Sequence, residues 1–178
     1  LEDIQPLKKL CILDYDVPVS GAGPAGLMAA EHAAPAGLAA AVADAMPSPA
    51  RKFLMAGKSG LNLTKDVDPA VFLKSYDALG PLRPMISEFD PEEVISFAHH
   101  LGQEIFTGST GLVFPKRMKV PPLLWAWLGR LESLCVTLLS RHRRQGPIST
   151  NEIQSFQMPD GKKVTTTKAL IFAMGGAS

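Results

Sequence analysis

Gly21, Gly23 and Gly26 fall at G-x-G-x-x-G spacing within Gly21-Ala22-Gly23-Pro24-Ala25-Gly26, and an acid, Asp44, follows about twenty residues on. The chemistry open to this set is to hold a pyrophosphate and a ribose. The first glycine makes a tight turn, the second lets backbone approach the phosphates, and the third lets the next helix pack close to its sheet. The N-terminus of the helix that follows offers N–H groups and a positive dipole end to the anion. Asp44 supplies a carboxylate that can accept hydrogen bonds from ribose hydroxyls. Glycine spacing alone is a weak signal, because a Gly-rich turn before a buried helix needs no ligand. Its weight depends on the flanking elements.

Other chemistry-bearing residues lead nowhere comparable. Gly57-Lys58-Ser59 looks like the tail of a phosphate-binding P-loop, but that motif needs glycine five residues before Gly57, where Lys52 stands. His99 and His100 are adjacent on an expected helix, point about 100° apart and cannot share a metal as an i, i+4 pair could. They read as solvated, and no metal site is expected. Arg141-His142-Arg143-Arg144 reads as a solvated strand end rather than a nucleic-acid contact, since no aromatics are interleaved. Trp125 and Trp127 lie two apart on a helix, so at most one faces the core squarely. Ser20, Ser59 and Ser109 have no visible His/Asp partners for nucleophilic catalysis, and no catalytic residue can be named.

The elements that must position the glycine loop are legible. Val17 to Ser20 form a short apolar run ahead of it. Leu27 to Ala36 read as a helix buried on most sides, with only Glu31 and His32 polar, and Leu38 to Ala43 form a second apolar run ending on Asp44. Pro47 and Pro49 then break the chain before a polar, glycine-containing segment from Arg51 to Thr64. Asp68-Pro69 predicts a capped helix through Leu79, and Asp90-Pro91-Glu92-Glu93 a stronger start with a capping-box pattern. In the second helix Val94, Phe97, Ala98 and Leu101 share one face. Glu104 to Phe106 and Leu112 to Phe114 read as strands around a Thr107–Gly111 turn. Pro121-Pro122 opens a helix marked by Leu124, Leu128, Leu131 and Cys135. Strands are expected at Val136 to Leu139, Ile153 to Met158, Val164 to Thr167 and Ala169 to Ala173, with a turn at Pro159-Asp160-Gly161.

Size and composition set the class. A chain of 178 residues suggests one domain with a real core. A net charge of +1 gives no general attraction to nucleic acid or anionic membrane. The small-residue stretch from Gly21 to Ala45 is interrupted by Pro24, Glu31, His32, Pro35 and Asp44, so it is no membrane span. Residues 1–14 read as an extension and a poor signal peptide. Cys11 and Cys135, far apart in apolar surroundings, suit buried free thiols in a reducing cytoplasm.

Beyond the loop, Arg51-Lys52-Phe53-Leu54-Met55-Ala56-Gly57-Lys58-Ser59-Gly60-Leu61-Asn62-Leu63-Thr64, Asp44-Ala45-Met46-Pro47-Ser48-Pro49, Gly111-Leu112-Val113-Phe114-Pro115-Lys116 and Ala173-Met174-Gly175-Gly176-Ala177-Ser178 occur in order. Together with the glycine loop, this series resembles the BaiN/YhiN-like flavoproteins, a family of NAD(P)/FAD-dependent oxidoreductases. The resemblance runs from about residue 16 to 178. It implies an α/β, Rossmann-like FAD/NAD(P)-binding domain: a parallel sheet with flanking helices and a β-hairpin or meander. It also implies a partial FAD-binding domain over 15–178, incomplete at the C-terminus. Gly21, Gly23, Pro24, Ala25 and Gly26 would hold the pyrophosphate of FAD, and Asp44 the adenosine ribose. Arg51, Lys52, Gly60, Asn62 and Thr64 would lie toward the flavin end, and Gly175 and Gly176 at a glycine turn crowding the cofactor. The residues are chemically suited: Arg51 and Lys52 can neutralise a diphosphate, and Asn62 and Thr64 can hydrogen-bond a ring edge or ribityl chain.

The resulting expectation is an FAD-binding oxidoreductase whose flavin is reduced by NAD(P)H and acts on a small-molecule substrate. Two other readings stand beside it: an inactive dinucleotide-binding fragment, and an NAD-dependent dehydrogenase, against which the Arg51–Thr64 segment argues. Uncovered apolar surface in a partial domain would favour self-association. Four positions depart from an ideal version of this fold. Pro18 lies within the expected first strand and Pro35 late in the expected helix, while Ala50 and Ser59 stand where the family usually has glycine.

Overall fold

The computed structural model describes residues 12–56, 60–76, 80–144, 155–157, 163–166 and 168–176. In chain order its elements are β1 Ile12–Tyr15, β2 Val17–Ser20, α1 Pro24–Ala33, β3 Ala40–Asp44, α2 Arg51–Ala56, β4 Thr64–Lys65, α3 Pro69–Lys74, α4 Arg83–Glu88 and α5 Pro91–His100. There follow β5 Ile105–Thr107, β6 Leu112–Pro115, α6 Val120–Ser133, β7 Thr137–Ser140, β8 Arg143–Arg144, β9 Ser155–Gln157, β10 Lys163–Thr166 and β11 Ile171–Phe172. Cys11, Gly57-Lys58-Ser59, Leu79, the Pro159-Asp160-Gly161 turn, Ala177 and Ser178 lie outside the described residues. Where length suggests one domain, the chain forms two compact units, one within Leu1–Arg51 and Leu131–Ser178, the other Lys52–Arg130.

The first unit is built on a four-stranded parallel sheet of order β11-β2-β3-β7. Val17 to Ser20 are all buried, as a strand with neighbours on both sides requires. Val19 and Val42 are register partners and share a face, and Gly26 of α1 packs against Val19. The opposite face presents Ala41, Ala43 and Leu139, covered by Tyr15 and Leu170. Ala41 and Ala43, thin by strand standards, thus lie beneath a large aromatic ring. A second sheet, β1-β10-β9-β8, pairs β1 with β10 in parallel and β10, β9 and β8 antiparallel. Residues 12–14, expected to belong to an extension, are therefore strand.

Pro18 sits inside β2, as expected. Val17 and Gly21 donate backbone N–H groups to Ala39 and Ala43, at 3.1 and 2.8 Å, so strand alternation turns the nitrogen of Pro18 the other way, toward β11. That strand is only two residues long, and its ladder starts opposite Val19. The missing donor coincides with the point where pairing on that side begins. Helix α1 starts and ends three residues earlier than the expected Leu27 to Ala36, and it is less buried than its composition suggests. It ends at Ala33 and tightens into a 3-10 turn, Ala34–Ala36, because Pro35 cannot donate the next α-helical hydrogen bond. It buries one face, Gly26, Leu27, Ala30 and Glu31, rather than most of its surface.

The second unit holds an antiparallel sheet of order β4-β6-β5. The expected hairpin forms with Phe106 opposite Phe114 and the two rings stacked at 5.6 Å. Asp90 caps α5 through its carboxylate, which accepts from Glu92 and Glu93 N–H at 2.9 and 3.1 Å. Asp68 caps α3 in the same way, but α3 ends at Lys74 rather than running on to Leu79. In α6, Val120, Leu123, Leu124 and Trp127 are buried, Trp127 meets Phe97 edge-on at 5.0 Å, and Trp125 is exposed. Leu128 is only half-buried. Cys135, expected on this helix face as a buried thiol, lies beyond the helix end, exposed, with φ 59°.

Candidate dinucleotide site

The glycine loop leaves β2 and enters α1 at the C-terminal edge of the parallel sheet, where ligands of open α/β sheets bind. Its three glycines have separable roles. Gly21 has φ +108°, and a Cβ there would overlap the Ala173 carbonyl at the end of β11. A Cβ on Gly26 would overlap the Gly21 carbonyl, so the third glycine lets α1 seat on the loop. Gly23 is different. Its backbone is ordinary extended chain, φ −79° and ψ 176°, and a Cβ would meet no atom within 4 Å. Neither its conformation nor packing among the described residues demands glycine there, whereas close approach by a ligand does.

Gly23 is the N-cap of α1, carries no side chain to cap it, and is followed by Pro24 at the first helical position. Helix geometry leaves the N–H groups of Ala25 and Gly26 without an intrahelical acceptor. No acid stands in the first turn, so no side chain of the helix itself offsets its positive dipole end. A diphosphate fits that environment.

Asp44 ends β3 beside the loop. Its Oδ2 accepts from Ala22 N–H at 2.8 Å and its Oδ1 from Met46 N–H at 2.8 Å. The carboxylate therefore holds the glycine loop to the strand end, a role its spacing alone does not reveal. Each oxygen keeps a second lone pair for a ligand hydroxyl. A cleft of about 370 Å³ opens here, lined by Ser20, Gly21, Asp44, His142, Arg143 and Met174 among others. That volume falls in the range of small-molecule sites.

The sequence predicts a His142 solvated with its arginine neighbours. It is instead 3 % exposed. Its backbone N–H donates to the Asp44 carbonyl at 2.9 Å and its Nδ1 lies 2.8 Å from the Ser140 carbonyl. A charge run conceals this, because only the pairing of the chain after β7 with the end of β3 turns the second of four polar residues inward.

The remaining candidates are placed as follows. Arg51 is exposed at the start of α2, a helix that the polar, glycine-containing composition of the Arg51 to Thr64 segment does not announce. Gly175 and Gly176 follow β11 and are exposed, Gly175 with φ 76°. Ala50, where glycine is expected, has φ 54° and is buried, its N–H donating to the Ala22 carbonyl at 2.8 Å. The left-handed conformation costs an alanine about 1 kcal/mol. Lys52, Gly60, Asn62 and Thr64 belong to the second unit. Lys52 and Asn62 are exposed, while Thr64 is buried in β4 opposite Val113. That unit has its own cleft of about 410 Å³, lined by Gln103, Glu104, Lys116 and Arg117 among others. There a hydrogen bond from Lys116, and then its charge, hold the Glu104 carboxyl below its ordinary range, at 3.0 Å. Both side chains are largely exposed, so the pair contributes little to stability. No helix among the described residues is long and apolar enough to cross a membrane.

Residues 15–178 match the family model described as the HI0933-like protein Rossmann domain. The chain belongs to the HI0933-like family. No curated protein matches it. In fold, this HI0933-like chain is similar to the E. coli quinol fumarate reductase FrdA carrying the E245Q mutation, with a TM-score of 0.70 and 17% identity, covering 93% of this chain and 33% of that one. It is similar also to 3-ketosteroid-Δ4-(5α)-dehydrogenase from Rhodococcus jostii RHA1, at TM-score 0.68 and 16% identity, over 92% of this chain and 46% of the other. Thermovibrio ammonificans THI4 gives TM-score 0.56 and 12% identity, over 91% and 58%. The HI0933-like chain thus spans about a third to just under 60% of the length of these proteins.

Proposed function

We propose that this HI0933-like chain binds FAD as part of an oxidoreductase of the BaiN/YhiN type. The observation that carries this reading is Gly23: a glycine at the N-terminus of α1 that neither its conformation nor packing among the described residues requires. The loop N–H groups and the α1 dipole hold the pyrophosphate, Asp44 fixes the loop and accepts from the ribose, and the cleft beyond it receives the base. When bound, the flavin supplies the electron-transfer chemistry. NAD(P)H is the proposed reductant and a small molecule the proposed substrate, in the cytoplasm. Arg51 and Lys52, both exposed cations, are suited to the diphosphate, and Asn62 to the polar edge of the flavin. The exposed Met85 and Trp125 favour self-association of the chain.

The test is to purify the protein, record its absorption spectrum, and identify any cofactor released on denaturation. Flavin absorption with FAD in the supernatant supports the proposal. A colourless protein that binds NAD(H) in place of FAD would make it a nicotinamide-binding chain instead. Supplying FAD and following NADH and NADPH oxidation with an artificial acceptor then tests the redox assignment. Turnover by the 178-residue chain would reject the inactive-fragment reading.

A further inference from the structure

We propose that His142 is a specificity residue that reads the 6-amino group of the adenine in the bound dinucleotide; this rests on the dinucleotide reading above. His142 lines the cleft beside Asp44 and is 3 % exposed. Its ring is oriented by one nitrogen, Nδ1, 2.8 Å from the Ser140 carbonyl. A carbonyl only accepts, so Nδ1 carries the proton, and in the neutral ring Nε2 is left as an acceptor. Nε2 is buried and has no hydrogen-bond partner, alone in this respect among the buried side-chain nitrogens and oxygens of the described residues. A buried acceptor without a donor is costly and marks a place for a ligand or water.

The donor follows from strand order. The loop and α1 follow β2, Asp44 ends β3, and His142 lies two residues past β7, with β2, β3 and β7 adjacent in the sheet. A dinucleotide with its pyrophosphate on the loop and its ribose at Asp44 carries its base onward to β7. The base edge then reaches the His142 side of the cleft. Adenine offers an exocyclic N–H donor, whereas a 6-oxo purine offers an acceptor at that position and would oppose the Nε2 lone pair.

The experiment measures binding of ADP and of purine riboside 5′-diphosphate, which has hydrogen in place of the amino group, by calorimetry on the wild-type chain, His142→Leu and His142→Gln. Circular dichroism confirms that each is folded, and the Gln variant keeps an acceptor if Leu proves unstable. The wild type should prefer ADP by about tenfold, the worth of one buried hydrogen bond. His142→Leu should reduce that preference to less than about twofold by weakening ADP alone, and His142→Gln should retain part of it. The loss on replacing ADP by 2′-deoxy-ADP should be the same in all three proteins. ADP bound without preference, a preference that survives in His142→Leu, or a variant effect confined to the 2′-deoxy analogue overturns the His142 assignment while leaving the dinucleotide site intact. Failure of the wild type to bind ADP and FAD at all overturns both.

Discussion

Exchanging single glycines for alanine separates the two reasons for having glycine in the loop. At Gly26 the added Cβ would overlap the Gly21 carbonyl and stand 3.3 Å from Val19 Cγ1, with both contacts inside the packed α1–β2 interface. Backbone cannot yield as a flexible side chain does, so Gly26→Ala should destabilise the protein by about 1–3 kcal/mol, the usual cost of overpacking. At Gly23 the Cβ meets nothing. The fold then loses only the N-cap preference for glycine over alanine, at most about 1 kcal/mol. Ligand affinity should behave in the opposite way. A methyl group between the α1 N-terminus and the phosphates removes one charge-assisted hydrogen bond, about 1.5–3 kcal/mol, which is roughly 10- to 150-fold in Kd. The assay pairs thermal or urea denaturation of the apo proteins with ADP titration of each. Gly23→Ala that keeps wild-type affinity would refute the assignment of this loop. Gly23→Ala as unstable as Gly26→Ala would show that its glycine serves the fold.

Three further outcomes follow from the same geometry. Asp44→Ala should lower apo stability by about 1–3 kcal/mol, because it removes the charged acceptor of the Ala22 and Met46 N–H groups; unchanged denaturation would mean that the carboxylate does not hold the loop. Pro18→Val should raise the unfolding free energy by no more than about 1 kcal/mol, the regained donor being partly offset by the unfolded-state entropy that proline withholds. A drop would show that β2 depends on the ring. Asp90→Ala should cost about 1 kcal/mol through loss of the α5 cap, and urea denaturation showing no change would place α5 outside the cooperative unit.

Much of the first unit can be read from local signals. Val17 to Ser20 and Leu38 to Ala43 are apolar runs at strand length, and the glycines between them gain their weight from that setting. The caps at Asp68 and Asp90 are equally local, since an acid before proline acts only on the next turn. What sequence does not show depends on distant neighbours. Asp44 clamps Ala22 because two strands end side by side, and His142 turns inward because its backbone pairs with Asp44. Composition gives the opposite expectation for a histidine set among arginines. Helix α2 is concealed by the glycines that follow it, and strand β1 by the distance to its partner β10. Helix α1 stops early because Pro35 outweighs ten residues of helix-forming composition.

The proposed role of the loop between β2 and α1 is to hold the pyrophosphate of an adenine dinucleotide. Its most direct measurement is a competition titration on the purified chain: FAD binding followed by flavin fluorescence, then displacement by ADP and by FMN. FAD binding should be saturable, displaced fully by ADP and not by FMN, because the contacts built by Gly23, Asp44 and the α1 N-terminus all lie on the ADP half. FMN displacing FAD as well as ADP does, or FAD binding unaffected by ADP, would contradict it.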